Sequence, residues 1–178
     1  MLLDVNTSVL GCVMNEASMI TAVCKSWRKK QPHLWLIKFP DYFRPGAYYS
    51  NDRAVDTLIC YFGQFVGIEW KIVKTKTAER FKATKIRDSQ INALDAISKA
   101  GGVGLLIIAV YHDVTHKHLY VFTIDEWLNL VMREESGVVD LTKCNCQRST
   151  SGTQWDWRKI EEVIDFEVKM RTDIGVKS

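Results

Sequence analysis

The segment Val103–Tyr111, VGLLIIAVY, is nine residues of uninterrupted apolar side chains with its glycine counted. It falls far below the ~20 residues a membrane helix needs, and it shows none of the polar alternation of a half-exposed strand. The run therefore predicts a buried β-strand, and the rest of the chain has to cover it. Residues 15–31 read as a helix: Asn15 can cap it, Glu16 sits in the positive first turn, and Met19, Ile20, Val23 and Trp27 recur at helical spacing. Strands are predicted over 33–39, 54–62 and 65–73, the last two joined by a Gly63-Gln64 turn with glycine first. Asp88 or Ser89 caps a second helix carrying Ile91, Leu94 and Ile97, which Gly101-Gly102 stops. Beyond the buried strand, 112–117 predicts a turn and 119–122 a strand. Thr123 and Glu126 form a capping box that opens a helix to Glu134. Residues 136–154 are polar and read as irregular, and a last helix is expected from Trp155 or Asp156 to Phe166. This order implies an α/β fold with a mixed central β-sheet flanked by helices.

At 178 residues, with 47% hydrophobic and 25% charged residues, the chain is long enough for one domain with its own core, and the composition excludes disorder and coiled coil. The core is expected over 15–135 and a C-terminal extension with a helix over 136–178. Residues 40–53 hold two prolines, a glycine and the aromatics Tyr42, Phe43, Tyr48 and Tyr49, so they predict a loop or projecting arm whose aromatics either contact DNA or a second subunit or form a local hydrophobic mini-core. Five cysteines, an odd number scattered along the chain, do not make a disulfide framework and point to the reducing cytoplasm. The first residues carry no cationic leader, so no secretory signal is expected.

Charge is concentrated. Residues 71–87 hold Lys71, Lys74, Lys76, Arg80, Lys82, Lys85 and Arg87 against the single acid Glu79, a net +6 in a chain whose total is +3. Lys25, Arg28, Lys29 and Lys30 form a second basic cluster at the end of the first helix. Such focusing suits a polyanion such as DNA, because each neutralised phosphate releases counterions.

Within the predicted hairpin, Glu69 and Lys71 are two apart and share a face. With Gly63-Gln64 as the turn, Asp56 lies across from Lys71 and diagonal to Glu69; with Phe62-Gly63 as the turn, it faces Glu69 directly. Either register puts all three on one face, with opposed Cβ atoms ~5 Å apart and diagonal ones ~7 Å. Two carboxylates among Leu, Ile, Val and Trp repel and resist burial as ions. One small divalent cation would relieve that cost, and oxygen-only ligation suits Mg2+ or Mn2+. A salt-bridged polar face on a half-exposed hairpin is the plainer account of the same residues.

Asp56, twelve intervening residues and Glu69-Trp70-Lys71 together resemble the D…(D/E)-x-K core of the PD-(D/E)XK nucleases. The sequel, Lys74-Thr75-Lys76, Phe81, Asp88-Ser89-Gln90-Ile91, Leu94, Ile97, Gly101-Gly102 and the strand ending at Tyr111, is similar to the RecU-type Holliday-junction resolvases. The likeness covers roughly residues 15–130; Val55 stands where the name motif has proline. It implies a restriction-endonuclease-like core with Asp56 and Glu69 as metal ligands and catalytic groups. Lys71 would orient water or stabilise the transition state, and Gln90 would position water or the scissile phosphate at a helix N-terminus. Glu16 would supply a third carboxylate near the metal. Lys74, Lys76, Arg80, Lys82, Lys85 and Arg87, with Arg44 and Arg53 from the arm, are the candidate DNA contacts. The activity so implied is Mg2+-dependent cleavage of branched DNA by a homodimer. A related nuclease acting on flaps, DNA ends or single-strand/duplex junctions is the alternative, and a catalytically silent DNA-binding protein is the second.

Other signals are weaker. Cys144-Asn145-Cys146 and the histidines at 112, 116 and 118 lack the paired spacing of a structural zinc site, and the histidines are expected to decorate a solvated turn. Trp155 and Trp157 are expected to dock the C-terminal helix.

Overall fold

A computed structural model describes residues 15–39, 55–144, 147–151 and 155–173. The arm, and with it Arg44 and Arg53, lies outside them. The elements in chain order are α1 (Glu16–Lys30), β1 (Trp35–Lys38), β2 (Thr57–Tyr61), β3 (Gln64–Lys74), β4 (Arg80–Lys82), α2 (Asp88–Lys99), β5 (Val103–Tyr111), β6 (Lys117–Thr123), α3 (Ile124–Arg133), β7 (Val138–Asp140), β8 (Gln147–Ser151) and α4 (Arg158–Asp173).

Among the described residues, six strands form one sheet in the order β1-β2-β3-β5-β6-β8; β3 and β5 run parallel and the other neighbours antiparallel. Being interior to the sheet, β5 is covered on both faces, which is why its sequence does not alternate. Leu105, Ile107 and Ala109 pack with α1 and α4 on one face. Leu106, Ile108 and Val110 pack with Leu94 of α2 and Ile124 and Trp127 of α3 on the other. Each of the Leu, Ile and Val side chains among these contributes roughly 1.5–3 kcal/mol by leaving water. The chain is thus an α/β fold with a mixed central sheet flanked by helices.

Local chemistry starts the helices as expected at two points. Ser18 N–H donates to Asn15 Oδ1 at 2.8 Å, and the Thr123/Glu126 box closes with bonds of 2.9 and 3.2 Å. Trp27 and Trp157 stack with ring centroids 6.0 Å apart, and Trp27 Nε1 donates to Glu161 of α4 at 2.7 Å, so the tryptophans do hold the last helix. Gly67 and Gly104 sit side by side in the β3–β5 register. A Cβ on Gly104 would stand 2.3 Å from the Leu94 carbonyl oxygen, and one on Gly67 2.3 Å from Ile97 Cδ1, so the bare pair lets α2 lie close on the sheet.

Several expectations need correction. The hairpin turns at Phe62-Gly63, both in the left-handed region (φ +46° and +82°), and not at Gly63-Gln64. The paired positive φ values match a type I′ turn, whose twist suits the strands, while the Phe62 ring stays outside the core. Residues 80–82, for which the sequence pattern predicts no element, form a strand: β4 pairs with β7, driving Phe81 and Val139 into the core. Residues 136–154 also supply β8 on the outer side of β6; a backbone ladder needs no apolar pattern, so QRSTS reads as loop. Arg87, not Asp88 or Ser89, precedes the first turn of α2, and α4 starts at Arg158 and continues to Asp173.

Candidate active site

With Phe62-Gly63 as the turn, Thr57 pairs with Ile68, and the next position sets Asp56 beside Glu69. Asp56 is pinned on both sides: its N–H donates to the Ile68 carbonyl at 3.1 Å, and its carbonyl accepts from Phe39 N–H at 2.9 Å. Its carboxylate Oδ2 accepts the Trp70 N–H at 3.0 Å, continuing the ladder just before β2 begins. Trp70 itself points to the opposite face, where its indole N–H reaches Thr57 Oγ1 at 3.1 Å. Parity then turns Glu69 and Lys71 toward α2.

Glu69 is fully buried. Its Oε1 accepts from Lys71 Nζ and from Gln90 Nε2. Gln90 is in turn fixed by its own helix, because the Arg87 N–H donates to its Oε1 at 3.0 Å. One side chain therefore caps α2 and orients Glu69. The second oxygen, Glu69 Oε2, is buried without a hydrogen-bond partner among the described residues. Burial first, and the neighbouring Asp56 charge second, push the Glu69 carboxyl up to about 7, against the pull of Lys71.

That shift fixes a pH dependence. Between the ordinary value of 4.5 and about 7, the folded protein keeps a proton that the unfolded chain has lost, so stability falls as pH rises through this window and stays at its lowest above it. In EDTA, Glu69→Gln should gain stability on wild type by up to ~3 kcal/mol between about pH 4.5 and pH 8, read by urea unfolding. A difference that does not change with pH would contradict a buried, proton-holding Glu69.

The structure thus brings Asp56, Glu69, Lys71 and Gln90 together. Glu16 opens α1, whose body packs on the opposite face of the sheet with Ile68 and Trp70, but whose first turn is tied to the end of β1 that adjoins Asp56: Lys38 Nζ donates to the Ala17 carbonyl at 2.8 Å, and the next residue, Phe39, bonds Asp56. Lys74, Lys76, Arg80, Lys82, Lys85 and Arg87 are all exposed, spread along the end of β3, β4 and the approach to α2. Phe81 points inward between Arg80 and Lys82. The expectation that the histidines decorate a solvated turn holds for His116, which is 71% exposed and paired with Asp113, but not for His112 and His118, which turn inward to Glu79. No residue pattern inside the basic run marks Glu79; the signal available was the β5–β6 register, which sets His112, His118 and Tyr120 on one face.

No family model and no curated protein matches the chain. Among solved structures, it is similar to the 1.6 Å resolution structure of Hjc, a Holliday junction resolvase from the archaeal hyperthermophile Archaeoglobus fulgidus. The TM-score is 0.38 and the identity 12%, over 60% of this chain and 78% of Hjc. At that distance the functional reading rests on the geometry of the cluster.

Proposed function

We propose that the protein is a metal-dependent endodeoxyribonuclease of the PD-(D/E)XK type that cuts branched DNA, with Holliday junctions as its substrate, and that it works as a homodimer in the cytoplasm. The observation that carries this reading is the buried Glu69 carboxylate with one oxygen lacking a partner, set beside a second carboxylate, a lysine and a glutamine. While Glu69 holds a proton it can share it with Asp56, but once ionised its second oxygen is an unmatched buried acceptor, a cost of ~1–3 kcal/mol that a bound cation would relieve. Oxygen donors from Asp56 and Glu69 fit Mg2+ or Mn2+, and Glu16 is the candidate third carboxylate. When bound, the cation supplies a lowered pKa for water and neutralisation of charge on phosphate oxygens.

The chain's own residues do the rest. Gln90 locks the Glu69 rotamer and holds its amide at the N-terminus of α2, where the helix dipole favours a phosphate. Lys71, on the same face and only 14% exposed at its side chain, carries a positive charge that can follow the negative charge gathering on the phosphate during attack. The exposed lysines and arginines of 74–87 hold the DNA backbone nearby, with Arg44 and Arg53 as arm contacts. Paired, symmetry-related nicks resolve a four-way junction, which favours a two-fold assembly. The free thiols of Cys24, Cys60 and Cys144 suit a reducing compartment. No described helix is long and apolar enough to cross a membrane.

The test is cleavage of labelled four-way junction, flap, duplex and single strand in parallel with Mg2+. Paired nicks in the junction support the proposal; cutting confined to flaps or ends moves the assignment to those substrates, and binding without cutting to a silent DNA-binding protein. Neutralising Lys74, Lys76, Lys82 and Lys85 together should weaken binding to every DNA, lowering the slope of log K against log salt by ~0.9 for each duplex phosphate that is no longer neutralised. An unchanged slope would place this surface away from the substrate.

A further inference from the structure

We propose that Glu79, His112 and His118 form a second metal site, selective for a zinc-class transition ion, that clasps the basic segment to the β5–β6 hairpin. The proposal stands on this cluster alone and not on the nuclease reading. His112 lies just past the end of β5, two residues beyond inward-facing Val110, and His118 pairs with Val110 across the β5–β6 ladder. Parity therefore sends both imidazoles to the α2/α3 side of the sheet. Glu79 comes from the segment before β4, with its backbone carbonyl held by Leu141 N–H at 2.9 Å.

The three ligand atoms lie within 4.8 Å of one another, and among the described residues no other group of three His, Cys, Asp or Glu side chains does this. Both imidazoles aim a nitrogen at the same oxygen: His112 Nε2 is 2.9 Å and His118 Nδ1 2.8 Å from Glu79 Oε1. Zinc held at about 2.0–2.1 Å from each ligand spans tetrahedral edges of about 3.3 Å, so the two nitrogen–oxygen edges of 2.9 and 2.8 Å need open by only about half an ångström to admit the ion. The other oxygen, Oε2, accepts from the Tyr120 hydroxyl, the kind of outer partner that fixes a metal-binding carboxylate. Glu79 is 7% exposed and the two imidazoles 17% and 13%, so the three ligands are largely shielded from water, and a solvent molecule would complete a four-coordinate shell. Two nitrogens and one carboxylate are softer donors than the oxygen pair of Asp56 and Glu69, so the two sites select different metals.

The experiment uses the full chain stripped of metal and dialysed against Zn2+, with Co2+ as the optical probe. Wild type should bind one Zn2+ tightly, and its Co2+ form should show the intense visible bands of a four-coordinate nitrogen-bearing site without a thiolate charge-transfer band. The Asp56→Asn/Glu69→Gln double variant should keep both signals, and His112→Ala/His118→Ala should lose the tight site, with affinity falling at least ~100-fold. No tight zinc in wild type, weak six-coordinate cobalt bands, a thiolate band, or undiminished uptake by the histidine variant would each overturn the site. Because the wild-type spectrum identifies the ligand class by itself, the test still decides if the histidine variant fails to fold. In the first of those outcomes the cluster is a hydrogen-bonded latch only.

Discussion

Asp56→Asn and Glu69→Gln should each bring Mg2+-dependent cleavage of branched DNA to the background of the assay while leaving DNA affinity within a few-fold of wild type. The two effects separate because they draw on different residues. Capture of the cation needs both carboxylates, and removing one charge from a two-carboxylate site weakens both affinity and geometry. Affinity for DNA is assigned instead to the exposed cations of 74–87, which neither substitution touches. Glu69→Gln is the more informative change, since an amide keeps the volume of a fully buried side chain and removes the charge that Asp56 opposes. Single-turnover cleavage with filter-binding on the same preparations measures both quantities. Cutting at wild-type rate by either variant would remove these residues from the active site.

Lys71→Ala should slow the chemical step by about 10²–10³-fold with little change in binding, because its charge is assigned to a transition state whose negative charge the ground state lacks. The ammonium touches Glu69 in the free protein, so its removal also takes away the group that draws the Glu69 carboxyl down. A larger Mg2+ requirement at low pH should accompany the loss, since the cation then competes with a more tightly held proton. A variant that binds DNA more weakly but cuts at the normal saturated rate would make Lys71 a phosphate anchor.

How far the sequence discloses this site differs from residue to residue. Parity alone aligns Asp56, Glu69 and Lys71, because side chains alternate whichever turn closes the hairpin. The turn itself is not legible, since Phe62 in a left-handed conformation runs against residue preference and is tolerated at an exposed tip. Gln90 is legible as a first-turn residue; its bond to Glu69 depends on how closely α2 settles on the sheet, a tertiary matter. The pair β4 and β7 carries one inward apolar residue per strand, Phe81 and Val139, too few to announce a strand. Glu79 reads as the one acid in a basic run, and only long-range pairing shows that two histidines and a tyrosine meet it.

The bare Gly67–Gly104 pair has a consequence for variation in this chain. The clearance it gives α2 also sets the reach from Gln90 to Glu69, so the sheet works as a gauge block under the helix. In the proposed nuclease, chemistry on the phosphate would thereby be tied to the thickness of a hydrophobic layer set beneath the reacting groups. Inactivating changes in such a protein are then of two kinds, those that alter a reacting group and those that lift the helix carrying it, and the second kind would be invisible to any census of charged residues.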